Sequence, residues 1–480
     1  MRKIAIFLVA GLFVSACSNE SIEEELDLQS IELTNKVKTQ SLTASESTTY
    51  QADAYLVLSD DFTSQMETEI GEANGKINRK LSEIGMYVVE SNESGFMEKA
   101  KKIKGVSNVL PDLQLQWVQP ETTDEELFVS MSIGSNESFY GYQWGMEAIE
   151  APGAWNLGFT GDGVRVFILD SGIDAEHPDL ASNLNTSLST SFVTDEDYNI
   201  DPGFYFNHGT HVAGIIAAAD GPSYSDGSGD FGVIGVAPKA EIVAVKVLSE
   251  YTGSGSFSGI NAGVVYAANN GADVINMSLG TSLPRNGFYV ELPDGSLSKV
   301  GANDVAALIN ASQKAITYAY QMGSLVIVAA SNDGLDANHT SNLVFIPASL
   351  NHLMAVSATA PYGYAYDTTT DLDVFASYSN YGQSLIDLAA PGGDFDYPGS
   401  YYYYDMIFST ISSGWGFSAG TSMASPHAAG VAALIFEKLG ADATPSQVMT
   451  VLRNSADDLG KPGKDAYYGY GRVNAANAVQ

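Results

Sequence analysis

The sequence predicts an α/β protein whose mainly parallel sheet is covered by helices on both faces, preceded by a smaller α+β domain. Beyond residue 142, short apolar stretches alternate with longer helical ones, a pattern typical of parallel strands buried on both faces. Between residues 50 and 118, shorter strand-like and helix-like stretches alternate instead, which is typical of a compact α+β unit. The chain has 480 residues, of which 45% are hydrophobic, so it is long and apolar enough to bury both cores.

The beginning of the chain predicts export. Arg2 and Lys3 precede an apolar run, 4–14, and two small residues then lead to Cys17, the only cysteine. This is the layout of a secretory signal peptide, and the run is too short for a transmembrane helix. The end of the segment resembles the lipobox of bacterial lipoproteins. That resemblance implies lipidation of Cys17 and a place in the cell envelope, at the outer membrane or cell surface, or release from it; an ordinary leader with an incidental cysteine is the alternative.

The rest of the chain divides into four predicted parts. Residues 18–49 contain seven acidic, two basic and no aromatic residues, and they predict a disordered tether. Residues 50–118 form the α+β unit, and the polar, acidic stretch 119–141 predicts a cleavable linker. Residues 142–480 form the α/β domain. Its main strands are expected at 164–170, 241–248, 273–279, 325–330 and 352–359, and its main helices at 209–219, 258–270, 304–322 and 422–438.

The charge balance limits the partners. The chain has 57 acidic and 22 basic residues, for a net charge of −35 spread along its length. Binding nucleic acid requires clustered Lys and Arg to neutralise phosphates, so the sequence predicts no nucleic-acid partner. Any attachment to a membrane would be through lipid alone. One cysteine excludes an internal disulfide, and the sequence leaves the oligomeric state open.

Four polar residues of the α/β domain follow predicted strands or begin predicted helices. Asp170 ends an apolar strand, Asn332 follows another, and His208 and Ser422 stand at the starts of helices. Taken singly, the aspartate, the histidine and the serine could each cap a turn or a helix. Taken together, the four supply an orienter, a base, an oxyanion donor and a nucleophile near the strand ends, where parallel sheets bind ligands.

The surrounding sequences resemble the signatures of the subtilisin-like serine proteases, the subtilases. Asp170-Ser-Gly, His208-Gly-Thr-His-Val-Ala-Gly and Gly420-Thr-Ser-Met-Ala-Ser-Pro-His stand in the order Asp, His, Ser, for which subtilisin is the standard example. The resemblance covers about residues 142–479. It implies a three-layer α/β/α fold with a mainly parallel seven-stranded sheet, and a serine endopeptidase that cleaves proteins or peptides through an acyl-enzyme. It also implies that residues 50–118 are a ferredoxin-like inhibitory propeptide, which is cut off near 119–138.

The same resemblance assigns roles to the four residues. His208 would take the proton of Ser422, Asp170 would hold the other ring N–H, and Asn332 would stabilise the oxyanion together with the Ser422 N–H. Three further residues resemble the edge that binds the substrate backbone as an added strand: Ser278, Leu279 and Gly280.

The sequence departs from the family pattern at several positions. Ser331 stands where the family usually has Gly, insertions lie at about 220–230, 282–303 and 361–373, and 397–404 is rich in Tyr. The family needs no cofactor for catalysis, and the resemblance implies a structural Ca²⁺ site. Asp179 occupies a position that ligates calcium in many relatives, and Asp226 and Asp230 lie in the loop that would complete the site. Chance proximity in a chain with 57 acidic residues is the alternative.

Two other classes of function compete with this interpretation. A metal-dependent hydrolase could use His177, His208 and His211, but the chain lacks a His-Glu-x-x-His motif and the serine motif would be unexplained. A catalytically inactive surface lipoprotein that binds peptides is the other, and the presence of all four catalytic residue types argues against it. His211 and His427 lie within the motifs and are predicted to be structural.

Overall fold

A computed structural model describes residues 49–118, 122–123, 137–200, 207–221, 224–225, 230–412 and 414–480. The predicted signal peptide with Cys17, the tether up to residue 48 and most of the predicted linker lie outside these residues. Among the described residues, no helix is long and apolar enough to cross a membrane.

The N-terminal domain, residues 49–118, is a four-stranded antiparallel sheet with helices on one face. Its elements are β1 (Thr49–Ser59), α1 (Ser64–Glu72), β2 (Lys76–Leu81), a 3₁₀ turn (Ser82–Ile84), β3 (Met86–Glu90), α2 (Phe96–Ala100) and β4 (Val106–Gln116). The strand order β4-β1-β3-β2 and the alternation of strands and helices are ferredoxin-like, as predicted. The sequence did not predict β2, whose residues are mostly polar.

Both faces of this small sheet are buried. Tyr55 and Val57 of β1 pack on the domain's own helices, in a core that includes Met66 and Phe96. Leu56, which lies between them, points to the other face and packs in a core shared with the large domain. Successive residues of a strand point to opposite faces, so β1 contributes to both cores.

The elements of the large domain follow in chain order. The strands, with a short one in the preceding linker, are β5 (Thr122–Thr123), β6 (Arg165–Asp170), β7 (Thr190–Ser191), β8 (Tyr224–Ser225), β9 (Asp230–Phe231), β10 (Glu241–Lys246), β11 (Ser254–Ser256), β12 (Val274–Met277), β13 (Thr281–Pro284), β14 (Gly287–Glu291), β15 (Leu297–Gly301), β16 (Leu325–Ala329), β17 (Leu343–Ile346), β18 (Leu353–Ala360), β19 (Val374–Phe375), β20 (Leu388–Pro391), β21 (Ile407–Ile411) and β22 (Gly414–Ser418). The helices are α3 (Trp144–Ala148), α4 (Ala151–Asn156), α5 (His208–Ala217), α6 (Phe257–Asn269), α7 (Ala302–Gln321), α8 (Thr421–Leu439), α9 (Pro445–Ser455) and α10 (Ala475–Val479), with 3₁₀ turns at Tyr140–Tyr142 and Tyr402–Asp405.

A central parallel sheet organises the large domain. The strands β7, β10, β6, β12, β16, β18 and β20 pair in parallel in that order, and the short β19 joins β18 in antiparallel orientation. The predicted sheet of seven mainly parallel strands is therefore confirmed, with β19 as an eighth strand. All five strands predicted from apolar stretches belong to it.

Helices cover both faces of this sheet and complete three layers. Val166 and Ile168 of β6 pack in one core with residues of α5 and α8. Phe167 and Leu169 alternate with them and pack in the other core with residues of α6 and α7. The part of a strand that is buried on both faces must be apolar, so β6 is a continuous apolar run between its first residue, Arg165, and its final aspartate.

The core of the large domain begins at an earlier residue of the chain than the predicted 142. Phe139, which the sequence assigned to the linker, is buried in the core beside α5, and its N–H donates to the Gly232 carbonyl at 3.2 Å. Phe139 is buried because it belongs to a cluster of five aromatic residues. Its ring contacts the rings of Tyr142, Phe231, Phe408 and Trp415.

Candidate active site

The end of β6 and the start of α5 bring an aspartate and a histidine into contact. His208 Nδ1 lies 2.8 Å from Asp170 Oδ1 and 3.0 Å from Oδ2, and both side chains are buried. The Ser171 N–H also donates to Asp170 Oδ1, at 2.7 Å. An ionised carboxylate only accepts hydrogen bonds, so the neutral ring carries its proton on Nδ1 and Nε2 is the basic nitrogen.

A glycine makes this contact sterically feasible. A Cβ atom at Gly209 would lie 2.1 Å from the Gly172 carbonyl oxygen and 3.2 Å from Asp170 Oδ1. The Gly209 N–H donates to Ser171 Oγ at 3.1 Å, which ties the start of α5 to the end of β6. Residues next to Asp170 and His208 in their motifs therefore fix the distance between the two side chains.

The candidate nucleophile lies at the start of α8. Ser422 Oγ donates to the Ser278 carbonyl oxygen at 3.1 Å, and Ser278 Oγ donates back to the Ser422 carbonyl oxygen at 2.7 Å. Ser278 Oγ also contacts Ser425 Oγ at 2.8 Å and accepts from Asn276 Nδ2 at 2.9 Å. As the second residue of the helix, Ser422 has a backbone N–H without an acceptor inside the helix.

The side chain of Asn332 is oriented by the residue before the serine. Its Oδ1 accepts hydrogen bonds from the Thr421 N–H at 2.9 Å and from Thr421 Oγ1 at 2.7 Å. With Oδ1 held by two donors, the amide Nδ2 lies next to Gly420, where an added Cβ would be 3.1 Å away. Asn332 itself is exposed, so this donor faces the open side of the helix start.

The loop that carries Asn332 has a strained residue. Ser331 has φ of 77°, in the left-handed region that glycine adopts without penalty. Its Oγ is buried, has no hydrogen-bond partner among the described residues, and would lie 2.3 Å from a Cβ at Gly280. The serine that departs from the family pattern thus leaves the loop in the conformation that a glycine favours.

The other histidines of the motifs are structural, as predicted. His211 Nε2 lies 3.1 Å from the Ile407 carbonyl oxygen and 3.2 Å from that of Gly416, and burial lowers the pKa of His211 to about 3. His427 Nδ1 donates to the Met423 carbonyl oxygen at 2.8 Å, and burial lowers its pKa to about 4. Both rings stay neutral at physiological pH.

The three histidines of the metal-hydrolase alternative do not converge. His208 contacts Asp170, His211 contacts two backbone carbonyls, and His177 Nε2 lies 2.8 Å from the Gly414 carbonyl oxygen. The other nitrogen of His177 accepts from the Asp179 N–H at 3.1 Å. Within the described ranges, no group of three His, Cys, Asp or Glu side chains has the geometry to hold a metal ion.

The last residues of the N-terminal domain are extended and lie between Gly280 on one side and the segment 253–256 on the other. The groove between these two edges is called the candidate cleft. The Gly280 N–H donates to the Trp117 carbonyl oxygen at 3.1 Å, and the Trp117 N–H donates to the Gly253 carbonyl oxygen at 3.4 Å. Trp117 Nε1 donates to the Gly255 carbonyl oxygen at 2.9 Å. The preceding residues of β4 pair in antiparallel register with β11, Leu115 opposite Gly255.

The extended segment therefore lies between two edges, of which the sequence predicted one, at Gly280, as a substrate-binding edge. Gly280 lies on the predicted edge, and Leu279 is buried beneath it. The second edge is β11 with Gly253 before it, a Gly-Ser-Gly-Ser stretch. Glycines that alternate along a strand allow another backbone to approach closely, and this signal could have identified the edge.

A second backbone contact joins the predicted linker to the strand before the candidate nucleophile. β5 pairs in antiparallel register with β22, Thr122 opposite Ser418 and Thr123 opposite Phe417. β22 leads through Gly420 into Ser422. The chain thus contacts the large domain at Trp117, beside Gly280, and again at Thr122, on the strand that precedes Ser422.

A buried pair of carboxylates lies at the predicted calcium site. Asp179 Oδ2 accepts from the Val233 N–H at 3.0 Å and from Trp415 Nε1 at 2.6 Å. Glu137 is also buried, and its Oε1 accepts from the Gly221 N–H at 2.6 Å. A Cβ at Gly232 would lie 2.3 Å from Glu137 Oε2 and 3.3 Å from Asp179 Oδ1, so the two carboxylates converge on a space that a side chain there would fill.

Burial disfavours the negative charge of this pair. Burial, together with the charges of Asp179 and Asp220, raises the pKa of Glu137 to about 7. A hard cation with oxygen ligands suits such a donor set. Glu137 was not predicted as a candidate ligand. Asp226 lies outside the described residues, and of Asp230 only the backbone, in β9, is described.

Asp170 ends β6, and His208 and Ser422 lie at the starts of α5 and α8, in a three-layer α/β/α fold of the kind that binds ligands at the carboxyl ends of its strands. A family model described as "Subtilase family" matches residues 161–471. Thermitase from Thermoactinomyces vulgaris is 35% identical over 342 residues, 71% of this chain and 97% of that protein. A thermophilic serine proteinase from Bacillus sp. (strain AK1) is 31% identical over 405 residues, 84% of this chain and 83% of that protein.

The crystal structure of the epidermin leader peptide processing serine protease from Staphylococcus aureus has the same fold. Its TM-score is 0.69 at 22% identity, and the match covers 90% of this chain and 98% of that one. The chain belongs to the subtilase family. It is a subtilisin-like serine endopeptidase, and enzymes of this family need no cofactor for catalysis.

Proposed function

We propose that this endopeptidase is made as an exported zymogen and cleaves peptide bonds through Ser422, His208 and Asp170. The observation that carries the proposal is the buried contact of Asp170 with His208, beside a cleft along which the chain's own extended segment lies. A serine hydroxyl is a weak nucleophile at its ordinary pKa and needs a base. His208 supplies that base through Nε2, because Nδ1 is directed at Asp170.

In the acylation step, Ser422 Oγ attacks the carbonyl carbon of the substrate while its proton passes to His208 Nε2. Asp170 then stabilises the resulting imidazolium through the Nδ1–H bond, and it remains ionised. The imidazolium gives the proton to the leaving amine, and the acyl-enzyme remains on Ser422. A water molecule, deprotonated by the same nitrogen, hydrolyses the ester and regenerates the serine.

The negative charge on the carbonyl oxygen is stabilised by Asn332 Nδ2 and the Ser422 N–H. Thr421 holds Asn332 by its Oδ1 and so leaves Nδ2 as the donor. Fixed donors of this kind cost no reorganisation when the charge develops. The start of α8 adds a favourable field, because a helix N-terminus carries partial positive charge.

The N-terminal domain acts in this proposal as an inhibitory propeptide. Its last residues bind as a substrate strand would, with backbone hydrogen bonds to both edges of the cleft, which is the mode that favours extended peptides. Asp112 of β4 also caps a helix of the large domain. Its carboxylate accepts from the Ser258 N–H at 2.9 Å and from Ser258 Oγ at 2.6 Å.

The two contacts of the chain with the cleft limit where the maturation cut falls. Trp117 is bound to the cleft edges and Thr122 pairs with the strand that leads to the nucleophile. We therefore propose that the cut falls between Val118 and Thr122, within the predicted linker. The first residue of the mature enzyme, read by intact-mass spectrometry, tests this position.

Two further features complete the proposal. The protein reaches the cell envelope through its signal peptide and is anchored by lipid on Cys17, at the outer membrane or cell surface; labelled palmitate incorporated by the wild type and lost in Cys17→Ala would support this. A structural Ca²⁺ bound by Glu137 and Asp179 would neutralise their buried charges. Neither feature takes part in the chemistry.

Hydrolysis of casein tests the proposed mechanism. The wild type, Ser422→Ala and Ser446→Ala, a substitution of an exposed serine on α9, are each assayed with and without a fluorophosphonate label. We expect hydrolysis and labelling in the wild type and Ser446→Ala, and neither in Ser422→Ala, which also keeps its N-terminal domain. Hydrolysis that persists in Ser422→Ala would refute the nucleophile, and an inert wild type after removal of the N-terminal domain would support the peptide-binding alternative.

A further inference from the structure

The insertion at 282–303 forms a β-hairpin, β14–β15, that pairs with the N-terminal domain. β14 runs parallel to the start of β1, with Thr49 opposite Tyr289, Tyr50 opposite Val290 and Gln51 opposite Glu291. β15 pairs with the other edge of β14. The large domain therefore extends the sheet of the N-terminal domain at a second place, in addition to β11 in the cleft.

The hairpin pairs with part of the edge of β1 that β3 leaves open. β4 pairs with one edge of β1 along nearly its whole length. On the opposite edge, β3 pairs only with residues 55–58, and β14 pairs with residues 49–51. Without the hairpin, the start of β1 would present unpaired backbone groups on that edge.

Side chains of the hairpin reinforce the backbone pairing. Phe288 and Tyr50 make an edge contact, with ring centroids 4.6 Å apart. Leu292 packs against the core that the N-terminal domain forms with its own helices, which includes Tyr55. Asp294 lies close enough to Tyr55 to add to the effect of burial, which raises the pKa of Tyr55 to about 12.

The hairpin is held in shape by its own hydrogen bonds. The Leu292 N–H donates to the Ser296 carbonyl oxygen at 2.8 Å, and Asp294 Oδ1 accepts from the Ser296 N–H at 2.9 Å. Gly287 lies opposite Gly301 and closes the base. A docking element that is already formed loses little conformational entropy when it binds.

We propose that the β14–β15 hairpin is a docking clamp for the N-terminal domain, which keeps that domain on the enzyme after the chain between them is cut. The inference rests on the proposed zymogen. The contact in the cleft is made by groups that a substrate also uses, so substrates compete with it. The hairpin binds a different strand, β1, so occupation of the cleft by a substrate leaves this contact intact.

The test compares two leucines of the same hairpin. Leu292 packs against the core of the N-terminal domain and against the core that this domain shares with the large domain, whereas Leu297 is 61% exposed. Full-length Leu292→Asp, Leu297→Asp and wild type mature under identical conditions. The retention time is the interval between loss of the full-length band on a denaturing gel and the appearance of hydrolysis of a short chromogenic peptide.

We expect the retention time to fall at least about tenfold in Leu292→Asp, equivalent to about 1.4 kcal/mol of contact, and to change less than about twofold in Leu297→Asp. The retention time should fall further in a variant in which Asn-Gly replaces residues 288–300. The final kcat/KM on the short peptide should be equal in all of them, because the cleft is unchanged. Equal retention times in the two leucine variants, or activity that appears with the cut in the wild type, would overturn the clamp.

A second measurement separates failure of the clamp from failure of the zymogen. In the uncleaved Ser422→Ala chain, hydrogen exchange of the amides at the start of β1, residues 49–51, should be at least about tenfold faster with Leu292→Asp than with Leu297→Asp. Equal exchange would overturn the clamp, whatever the activity of the protein. Normal removal of the N-terminal domain in Ser422→Ala alone would contradict self-processing and leave the docking contact standing.

Discussion

The two sides of Ser422 are held in position by different means. On one side, Asp170 and His208 are buried, and tight packing of Gly209 on Gly172 fixes their separation. On the other side, Asn332 is exposed and follows a strained residue, and hydrogen bonds from Thr421 hold its Oδ1. In the proposed mechanism, the side that moves protons is thus fixed by the core, whereas the side that stabilises charge is fixed by α8.

The largest expected fall in kcat comes from a substitution on the buried side of Ser422. Asp170→Asn keeps the size of the side chain but turns an acceptor into a group that also donates, so His208 loses its tautomer and the imidazolium its counter-charge. We expect kcat to fall about 10⁴-fold, with little change in KM. Steady-state kinetics on a short peptide measure both constants. A loss of less than tenfold would mean that Asp170 does not orient the base.

Substitutions on the exposed side of Ser422 should lower kcat less. Asn332→Ala removes the Nδ2 donor, and we expect kcat to fall about 10²–10³-fold, or roughly 3–4 kcal/mol, which is the loss measured when such a donor is removed from a subtilisin. Thr421→Val, which keeps the backbone donor to Oδ1, should lose only about tenfold. An effect of Asn332→Ala on KM alone would show that the side chain binds substrate and does not stabilise the transition state.

Glu137 sharpens the comparison, because it is a buried acid whose pKa is raised by burial and by the charges of Asp179 and Asp220. Its pKa is raised from 4.5 to about 7, so the folded protein binds the proton more tightly than the unfolded chain. The resulting stability is fully present below about pH 4.5 and is lost as the pH rises through about 7, at a cost of at most about 3 kcal/mol. Glu137→Gln should remove this loss.

In the wild type, Ca²⁺ should restore the stability that is lost when Glu137 ionises at higher pH. Thermal unfolding of the Ser422→Ala chain, which cannot digest itself, is measured at about pH 5 and about pH 8, with Ca²⁺ or with a chelator. Ca²⁺ should raise the midpoint at the higher pH and much less at the lower one, because the ion requires the ionised carboxylate. The same gain after Glu137→Gln would place the ion elsewhere.

The smallest expected effect tests the strain before Asn332. Ser331→Gly should stabilise the fold by about 1 kcal/mol, because glycine adopts a φ of 77° without the penalty of a Cβ. Gly334 of the same loop has φ of 63° and room for a Cβ, so Gly334→Ser should destabilise by a similar amount. Urea unfolding of both variants measures this. A loss of stability in Ser331→Gly would show that the Ser331 side chain contributes favourable packing.

The motifs could be predicted from the sequence because each is local. Asp170, Asn332 and Ser422 lie where an apolar strand ends or a helix begins, and both signals appear within a few neighbouring residues. The second cleft edge, at β11, was not predicted because a Gly-Ser stretch has no apolar pattern. Glu137 was not predicted because its neighbour Asp179 is distant in sequence, and the two meet only in the folded protein.

The sequence by itself determined the family, the layers and the identity of the four active-site candidates, because apolar periodicity and short motifs are properties of neighbouring residues. Only the tertiary structure decided which backbones meet. It placed Trp117 between Gly280 and Gly253, and it paired β14 with the open end of β1. Pairing between strands far apart in the chain depends on unsatisfied backbone groups at sheet edges, which side-chain sequence does not encode directly.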